Sequence, residues 1–305
     1  MAIVKTDVPM TYELCEKIIL ELVGEYPFCR SEVLTETAFG RNLRTLVIGR
    51  GPRKVIYSAS HHANEWITTP VILKFVEEFA DAIKNGGKIF GVDAKDLEQK
   101  ATIYTVPMVD PDGVDLVTGA IQPGMLQYEL AQRLADNYPA IPFPDGWKAN
   151  LMGVDLNLQY PAGWLQAREI KFSQGFTRPG PRDYVGRAPL NQRESRALAG
   201  YTEYIDPALV LAYHSQGKEI YWQFQDIEVP GARELGERFA EVSGYRLAEV
   251  AYESSFAGYK DWFIKAFRRP GYTIEVGEGT NPLPIEQFDE IYRDNLGILV
   301  TAAVG

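Results

Sequence analysis

Histidine is scarce in this chain, since only His61, His62 and His214 occur among its 305 residues. Cysteine is scarcer still, and Cys15 and Cys29 have neither the spacing of a thiolate metal site nor a disulfide framework around them. We therefore expect two buried free thiols. Two of the few histidines are adjacent, in the stretch SASHHANEW, which makes this stretch the first candidate for a functional site.

Positive charge is also limited, because 31 Lys and Arg residues stand against 41 Asp and Glu residues and give a formal net charge of −10. Nucleic acids and anionic membranes bind basic surfaces, so this balance argues against both as partners. No segment is apolar over the length of a membrane span. Glu13, Glu16 and Lys17 interrupt the N-terminal apolar stretch, which therefore does not resemble a signal peptide. We predict a cytoplasmic location.

Strand-like runs alternate with amphipathic stretches along the chain, in which 46% of the residues are hydrophobic. Strands are predicted at 45–49, 54–59, 102–109, 208–214, 219–224 and 272–276. Helices are predicted at 10–24, 66–84, 126–136, 190–204, 230–243, 258–267 and 285–303. This alternation predicts an α/β fold, a single domain over residues 1–305 with a twisted, mixed but mostly parallel sheet covered by helices on both faces.

Two regions fall outside this alternation. Residues 1–40 are expected to form a helical lead-in to the domain. Residues 137–189 are rich in Pro and Gly and are expected to form one long irregular region. Because a loop of that length inside a compact domain usually has a function, we expect one domain with an elaborated loop face.

The SASHHANEW stretch follows the predicted strand 54–59, and the carboxyl ends of strands are where α/β folds carry their ligand sites. His62 and Glu65 form an H-x-x-E pair, which offers the nitrogen and oxygen donors that zinc accepts, although such a pair alone is more often a surface feature. His214 ends the predicted strand 208–214 and is a candidate third ligand. Three protein ligands leave one position for water, as in catalytic zinc sites. The alternative is that His214, like His61, is a buried core histidine.

Four ordered motifs resemble the zinc carboxypeptidase family: SHHANEW, GVDLNLQYP, AYHSQG and PGYTIEVGEG. Within the family they are most similar to the bacterial γ-D-glutamyl-diaminopimelate peptidases. The resemblance runs from about residue 40 to the C-terminus, and no separate wall-binding module is recognised. It implies one zinc ion held by His62, Glu65 and His214, and a peptidoglycan-derived peptide as substrate.

The resemblance also implies roles for residues around the metal. Glu275 matches the general base, and Asp155 matches the carboxylate that accepts a hydrogen bond from His62 and fixes its tautomer. Asn157 matches a contact to the substrate carboxylate. Many family members have arginine at the next position, where this chain has Leu158. Without that guanidinium, ordinary C-terminal exopeptidase activity is not expected.

The arginine that stabilises the oxyanion in the family is best matched by Lys148. Alternative cations for this role lie in the following loop, at Arg168, Arg178, Arg182 and Arg187. A solvated loop lysine is the competing interpretation of Lys148.

The segment AYESSFAGYKDWF resembles the specificity region of the family. Tyr252 best matches the tyrosine that closes over substrate, with Tyr259 as a rival. Lys260 lies where the family sets its side-chain preference, and a cation there suits an acidic side chain. Asp261 would meet the amine at the far end of diaminopimelate. The competing interpretation is that Lys260 is exposed on a helix.

The function implied is zinc-dependent hydrolysis of the amide joining γ-D-glutamate to a diamino acid such as meso-diaminopimelate. Two alternatives remain. One is another enzyme of the same fold, either a conventional zinc carboxypeptidase or a small-molecule deacylase. The other is a peptide-binding relative that has lost its chemistry, which a full set of ligands and Glu275 argue against.

Overall fold

The computed structural model describes residues 2–305, so residue 1 of the predicted domain lies outside the described part. The strands are β1 (Val33–Glu36), β2 (Asn42–Arg44), β3 (Leu46–Gly49), β4 (Arg53–Ser58), β5 (Lys88–Ile89), β6 (Val92–Asp93), β7 (Ala101–Val106), β8 (Leu209–His214), β9 (Glu219–Tyr221), β10 (Arg246–Ala248) and β11 (Gly271–Glu275). The helices are α1 (Tyr12–Glu25), α2 (Thr68–Asn85), α3 (Ala94–Lys100), α4 (Pro111–Val117), α5 (Leu126–Ala135), α6 (Trp164–Ser173), α7 (Arg193–Ile205), α8 (Ala232–Ser243), α9 (Tyr259–Phe267) and α10 (Phe288–Val304).

The central sheet has seven strands in the order β10-β9-β11-β8-β4-β7-β3. The pairs β10–β9, β11–β8, β8–β4 and β4–β7 are parallel, whereas β9–β11 and β7–β3 are antiparallel. The prediction of a mixed, mostly parallel sheet is confirmed. The expectation of a purely helical lead-in over residues 1–40 is wrong at β1, which lies inside it and pairs with β2, just beyond it, in a separate antiparallel hairpin. Strands β5 and β6 form another such hairpin farther along the chain.

Both faces of the sheet are buried, and successive residues of one strand enter different cores. In β4, Val55 and Tyr57 pack into the core that α1, α2, α3, α8 and α10 cover, while Ile56 enters the core beneath α6, α7 and α9. Side chains alternate between faces along a strand, so only an apolar run can fill two cores at once. That is why the central strands are continuous apolar runs.

Two predicted strands are shorter in the structure. Strand β7 ends at Val106, not at residue 109, because Pro107 has no amide hydrogen for the ladder and its carbonyl accepts a bond from the Thr69 hydroxyl. Strand β9 ends at Tyr221, not at residue 224.

Helix α6 was missed, and the expectation of one irregular region over 137–189 is wrong at this point. Its apolar Leu165 is exposed whereas its polar Lys171 is buried, which hides the amphipathic pattern. Helix α4 was also missed, although it carries readable start signals. Asp110 caps it by accepting a bond from the Gly113 amide, and Pro111 occupies its first turn.

The two cysteines are buried free thiols, as expected. Burial raises the pKa of the Cys29 thiol to about 12, so it stays protonated at neutral pH. Among residues 2–305, no helix combines the length and the apolar character needed to cross a bilayer.

Candidate metal and catalytic site

Three neighbouring parallel strands bring the predicted site residues together. Strand β4 leads directly into His62, β8 ends at His214, and β11 ends at Glu275. The order β11-β8-β4 places these carboxyl ends side by side, and the parallel register pairs Glu275 with His214. Residues far apart in sequence thus converge at the edge of the sheet where α/β folds bind ligands.

Donor atoms of His62, Glu65 and His214 converge on one point. Nδ1 of His62 lies 3.0 Å from Oε1 of Glu65, and Nδ1 of His214 lies 2.8 Å from Oε2. The two Nδ1 atoms are 3.3 Å apart. Two nitrogens each ~2.05 Å from a tetrahedral zinc ion would be separated by about that distance. These are the three residues of the described chain that meet the geometric requirements for a shared cation.

The turn that carries His62 and Glu65 is fixed by its surroundings. The backbone amide of Ala63 donates to the Lys148 carbonyl at 3.2 Å. Helix α4 packs so closely here that a Cβ atom added at Gly113 would lie 2.8 Å from Cβ of Ala63. A larger residue would have to displace the turn, so this glycine helps to place both ligands.

Asp155 orients the His62 ring. Its Oδ1 accepts a hydrogen bond of 3.1 Å from Nε2 of His62, as the sequence predicted. When the imidazole is neutral, its proton lies on Nε2, and the lone pair of Nδ1 faces Glu65 and His214. Asp155 is itself held, because Oδ2 accepts from the backbone amide of Asp183 at 3.3 Å.

His61 lies on the far side of His214 and takes no part in the cluster of donor atoms. Its ring stacks between the rings of His214 and Tyr259, and its Nε2 pairs with the Tyr160 hydroxyl at 3.2 Å. Burial lowers the pKa of His61 well below its usual value, which keeps the ring neutral. His61 is therefore a buried core histidine, as the sequence analysis suggested.

The electrostatic field at this point favours a cation. Burial alone would lower the pKa of His62, but the Glu65 and Asp155 carboxylates outweigh burial and raise it to about 9. Burial opposes the charge on Glu65 as well, yet His62, Lys148 and His214 hold the pKa of that carboxyl well below its usual range. The nitrogen and oxygen donors, their separations and this field all fit a zinc ion.

Lys148 and Glu275 flank the cluster. Nζ of Lys148 donates to Oε1 of Glu65 at 2.8 Å, so it is not the solvated loop lysine of the competing interpretation. Burial would lower the pKa of Lys148, but Glu65 outweighs it and raises that pKa. Burial and the Glu65 charge raise the pKa of Glu275 to about 8, with Lys148 and His62 acting in the opposite direction. Glu275 is therefore a carboxyl group able to exchange a proton near neutral pH.

A cavity of about 320 Å³ opens beside the cluster and is lined by Asn157, Leu158, Lys260 and Asp261. The Oδ1 atom of Asn157 accepts from the amide of Tyr259 at 3.0 Å, which turns the amide NH₂ group of Asn157 toward other partners. Nζ of Lys260 lies 2.5 Å from Oδ1 of Asp261 and also donates to the Gln223 carbonyl. Lys260 is only 4% exposed, so the alternative of an exposed helix lysine is wrong.

The two candidate closing tyrosines have different environments. Tyr259 is fully buried, and its hydroxyl lies 2.7 Å from that of Thr202. Tyr252 is 62% exposed and rests edge-on against Phe256, which lines the cavity. Of the two, only Tyr252 has a side chain free to turn toward a substrate.

Three charged residues of the cavity wall have little or no signal in the sequence: Lys171 and Asp183, which the sequence analysis does not assign, and Arg182, which it names only as one of four alternative cations for the oxyanion. They come from the region over 137–189, in which no motif distinguishes them from other loop charges. Of the four arginines considered for the oxyanion role, Arg182 lines a cavity of the site, whereas the following three do not: Arg168, Arg178 and Arg187.

The sequence profile described as zinc carboxypeptidase matches residues 15–297. A gamma-D-glutamyl-L-diamino acid endopeptidase 1 of Lysinibacillus sphaericus is 43% identical over 289 residues, which span 95% of this chain and 71% of that protein. The YqgT protein of Bacillus subtilis (strain 168) is 37% identical over 286 residues, which span 93% of this chain and 74% of that protein.

Solved structures show the same fold at low sequence identity. Thrombin activatable fibrinolysis inhibitor superposes with a TM-score of 0.78 at 15% identity, over 99% of this chain and 76% of that one. The murein-tripeptide amidase MpaA of Escherichia coli O157 gives a TM-score of 0.54 at 17% identity, over 89% of this chain and 91% of that one.

Proposed function

The chain belongs to the zinc carboxypeptidase family, and we propose that it hydrolyses the amide joining γ-D-glutamate to a diamino acid in peptidoglycan-derived peptides. The main support is the convergence of His62, Glu65 and His214, with Glu275 in register beside His214, in a chain so similar to the Lysinibacillus sphaericus endopeptidase. The cytoplasmic location of the protein stays a prediction from the sequence.

His62, Glu65 and His214 would hold one zinc ion through two imidazole Nδ1 atoms and a carboxylate. When bound there, zinc supplies Lewis-acid chemistry, lowering the pKa of water and polarising the amide carbonyl. Asp155 keeps the lone pair of His62 on the nitrogen that faces the site.

Glu275 is the proposed general base. Its carboxylate takes a proton from the attacking water and then delivers it to the nitrogen of the leaving amine. A carboxyl group with a pKa raised to about 8 by burial and by Glu65 can both accept and release that proton near neutrality. Lys148, beside Glu65 and near Glu275, donates to the oxyanion that forms on the reacting carbonyl.

The cavity beside the cluster would receive the leaving diamino acid. Leu158 supplies no guanidinium, so recognition falls to the free amide NH₂ group of Asn157 and to the Lys260–Asp261 pair. The far end of diaminopimelate carries one ammonium and one carboxylate, and a buried cation beside a buried anion complements both. Tyr252 would close over the bound peptide.

The direct test is incubation of the zinc-loaded protein with L-Ala-γ-D-Glu-diaminopimelate, followed by mass spectrometry. We expect L-Ala-D-Glu and free diaminopimelate as products. Cleavage of an α-linked peptide with a free C-terminus, and not of this peptide, would favour a conventional carboxypeptidase. Zinc binding with no cleavage of either would favour the inactive peptide-binding relative.

A further inference from the structure

Two cavities meet at the proposed reaction centre. Beside the cavity of about 320 Å³ runs a groove of about 890 Å³, lined among others by Asn64, Gln216 and Asn281. Four residues line both spaces: Lys148, Arg182, Tyr221 and Glu275. Because Glu275 and Lys148 act on the reacting amide in the proposed function, the boundary between the spaces is where that amide lies. The cavity with Lys260 takes the leaving amine, so the groove takes the acyl side.

The acyl side of a γ-glutamyl amide has a chemical feature that ordinary peptides lack. Its α-carboxylate is free and lies a few bonds from the reacting carbonyl. Such a carboxylate would approach Glu275 and Glu65, and without a cation it would be repelled and poorly solvated. A site that prefers γ-linked glutamate therefore requires a cation at the boundary. This requirement rests on the proposed function.

Arg182 has the geometry for this role. Its Nε donates to Oδ2 of Asp183 at 2.6 Å. The other carboxylate oxygen of Asp183, Oδ1, forms a salt bridge with Nζ of Lys171, also at 2.6 Å. In the part of the chain that the structure describes, the terminal Nη1 and Nη2 atoms of Arg182 make no hydrogen bond. The side chain is 40% exposed, so the guanidinium fork is held at one edge and open at the other.

The surroundings of Arg182 fix both its position and its charge. Two cations share the single carboxylate of Asp183, which leaves the group with a net positive charge. The Asp183 amide donates to Oδ2 of Asp155, the residue that orients His62. Hydrogen bonds through Asp183 and Asp155 therefore connect the guanidinium to His62. Lys148 is engaged with Glu65 and does not compete for this role.

We propose that Arg182 binds the free α-carboxylate of γ-linked glutamate on the acyl side of the reacting amide. Asp183 and Lys171 position its side chain. The two open Nη atoms match the two oxygens of a carboxylate, and this pairing distinguishes γ-glutamyl amides from their α-amidated counterparts. An uncharged carboxamide has only one acceptor oxygen, so it leaves part of the fork unsatisfied.

The test compares two peptides that share one leaving diamino acid. One contains γ-D-glutamate with its α-carboxylate free, and the other contains D-isoglutamine, in which that group is a carboxamide. We expect the wild-type kcat/KM to favour the carboxylate peptide by about tenfold or more. In Arg182→Gln this preference falls close to one, mainly through slower cleavage of the carboxylate peptide. Arg182→Lys keeps part of it, and Arg187→Gln, on an exposed residue outside both cavities, keeps all of it.

An undiminished preference in Arg182→Gln overturns the proposal. Equal slowing of both peptides also overturns it, because the guanidinium would then act on the reacting carbonyl. Wild-type cleavage of both peptides at one rate removes this proposal alone, whereas cleavage of neither removes the proposed function itself. If Arg182→Gln does not fold, Arg182→Lys decides, and its preference must be smaller than that of the wild type.

Discussion

Nε2 of His62 lies 3.1 Å from Oδ1 of Asp155, and this contact determines which nitrogen of the ring faces Glu65 and His214. The aspartate comes from the segment between α5 and α6 and the histidine from the turn after β4, so the fold must form before the tautomer is fixed. Several consequences can be measured.

Asp155→Asn should weaken zinc binding by about 10- to 100-fold, the range typical of carboxylates that support a histidine ligand. The amide removes the negative charge and no longer holds the ring as firmly. Competition with a chelator measures the affinity. Asp136→Asn, at an exposed position after α5, is the matched control. Equal affinities in the two variants would contradict the role of Asp155.

Zinc binding should release a proton. The Glu65 and Asp155 carboxylates overcome burial and raise the pKa of His62 to about 9, so the metal-free protein carries this imidazole protonated at pH 7.5. Zinc binds the neutral ring, and its apparent affinity should therefore rise about tenfold per pH unit and level off above that pKa. Calorimetry in buffers of different ionisation enthalpy measures the release. A binding enthalpy that is independent of buffer would refute the prediction.

Glu275→Gln should retain zinc while kcat falls by about 10²- to 10⁴-fold, because the amide cannot accept the proton. Glu278→Gln is the matched control, since that residue is exposed just beyond the same strand. Zinc content and kcat are measured on both. Near-normal turnover in Glu275→Gln would show that another group is the base.

Lys148→Met should lower kcat by about 10²- to 10³-fold with little change in KM, as expected for a donor to the oxyanion. Lys148→Arg should recover part of the rate, because a guanidinium can donate to the same oxygen. Steady-state kinetics with zinc content as a control separates the effects. An increase confined to KM would assign Lys148 to substrate binding.

Lys260→Met should slow cleavage of peptides whose leaving residue is diaminopimelate more than of those whose leaving residue is lysine. The variant removes the cation that would meet the distal carboxylate, which lysine lacks. Because it also leaves the Asp261 charge buried, thermal melting must confirm folding at the assay temperature. Lys265→Met, at an exposed position of the same helix, is the control. Equal loss on both peptides would remove the specificity role.

The strands and ligands could be predicted because their signals are local. The apolar runs identify β4, β8 and β11, and the scarcity of histidine identifies His62 and His214 near the ends of β4 and β8. Glu275, at the end of β11, is predicted only through the resemblance to the zinc carboxypeptidases. Strand order and register are set by contacts distant in sequence, which no local pattern contains.

The cations of the cavity wall have much weaker signals in the sequence. Lys171 is buried on α6, whose apolar Leu165 faces solvent, so both residues contradict the usual pattern. Arg182 owes its importance to Asp183 and to two adjoining cavities, and these relationships exist only in the folded chain.

The most direct test of the central claim is zinc stoichiometry together with X-ray absorption at the zinc edge. We predict one zinc ion per chain with only nitrogen and oxygen neighbours at about 2.0–2.2 Å, and loss of this signal in His62→Ala and His214→Ala. A sulfur neighbour at about 2.3 Å, or an unchanged zinc content in both variants, would contradict the assignment of His62, Glu65 and His214 as the metal site.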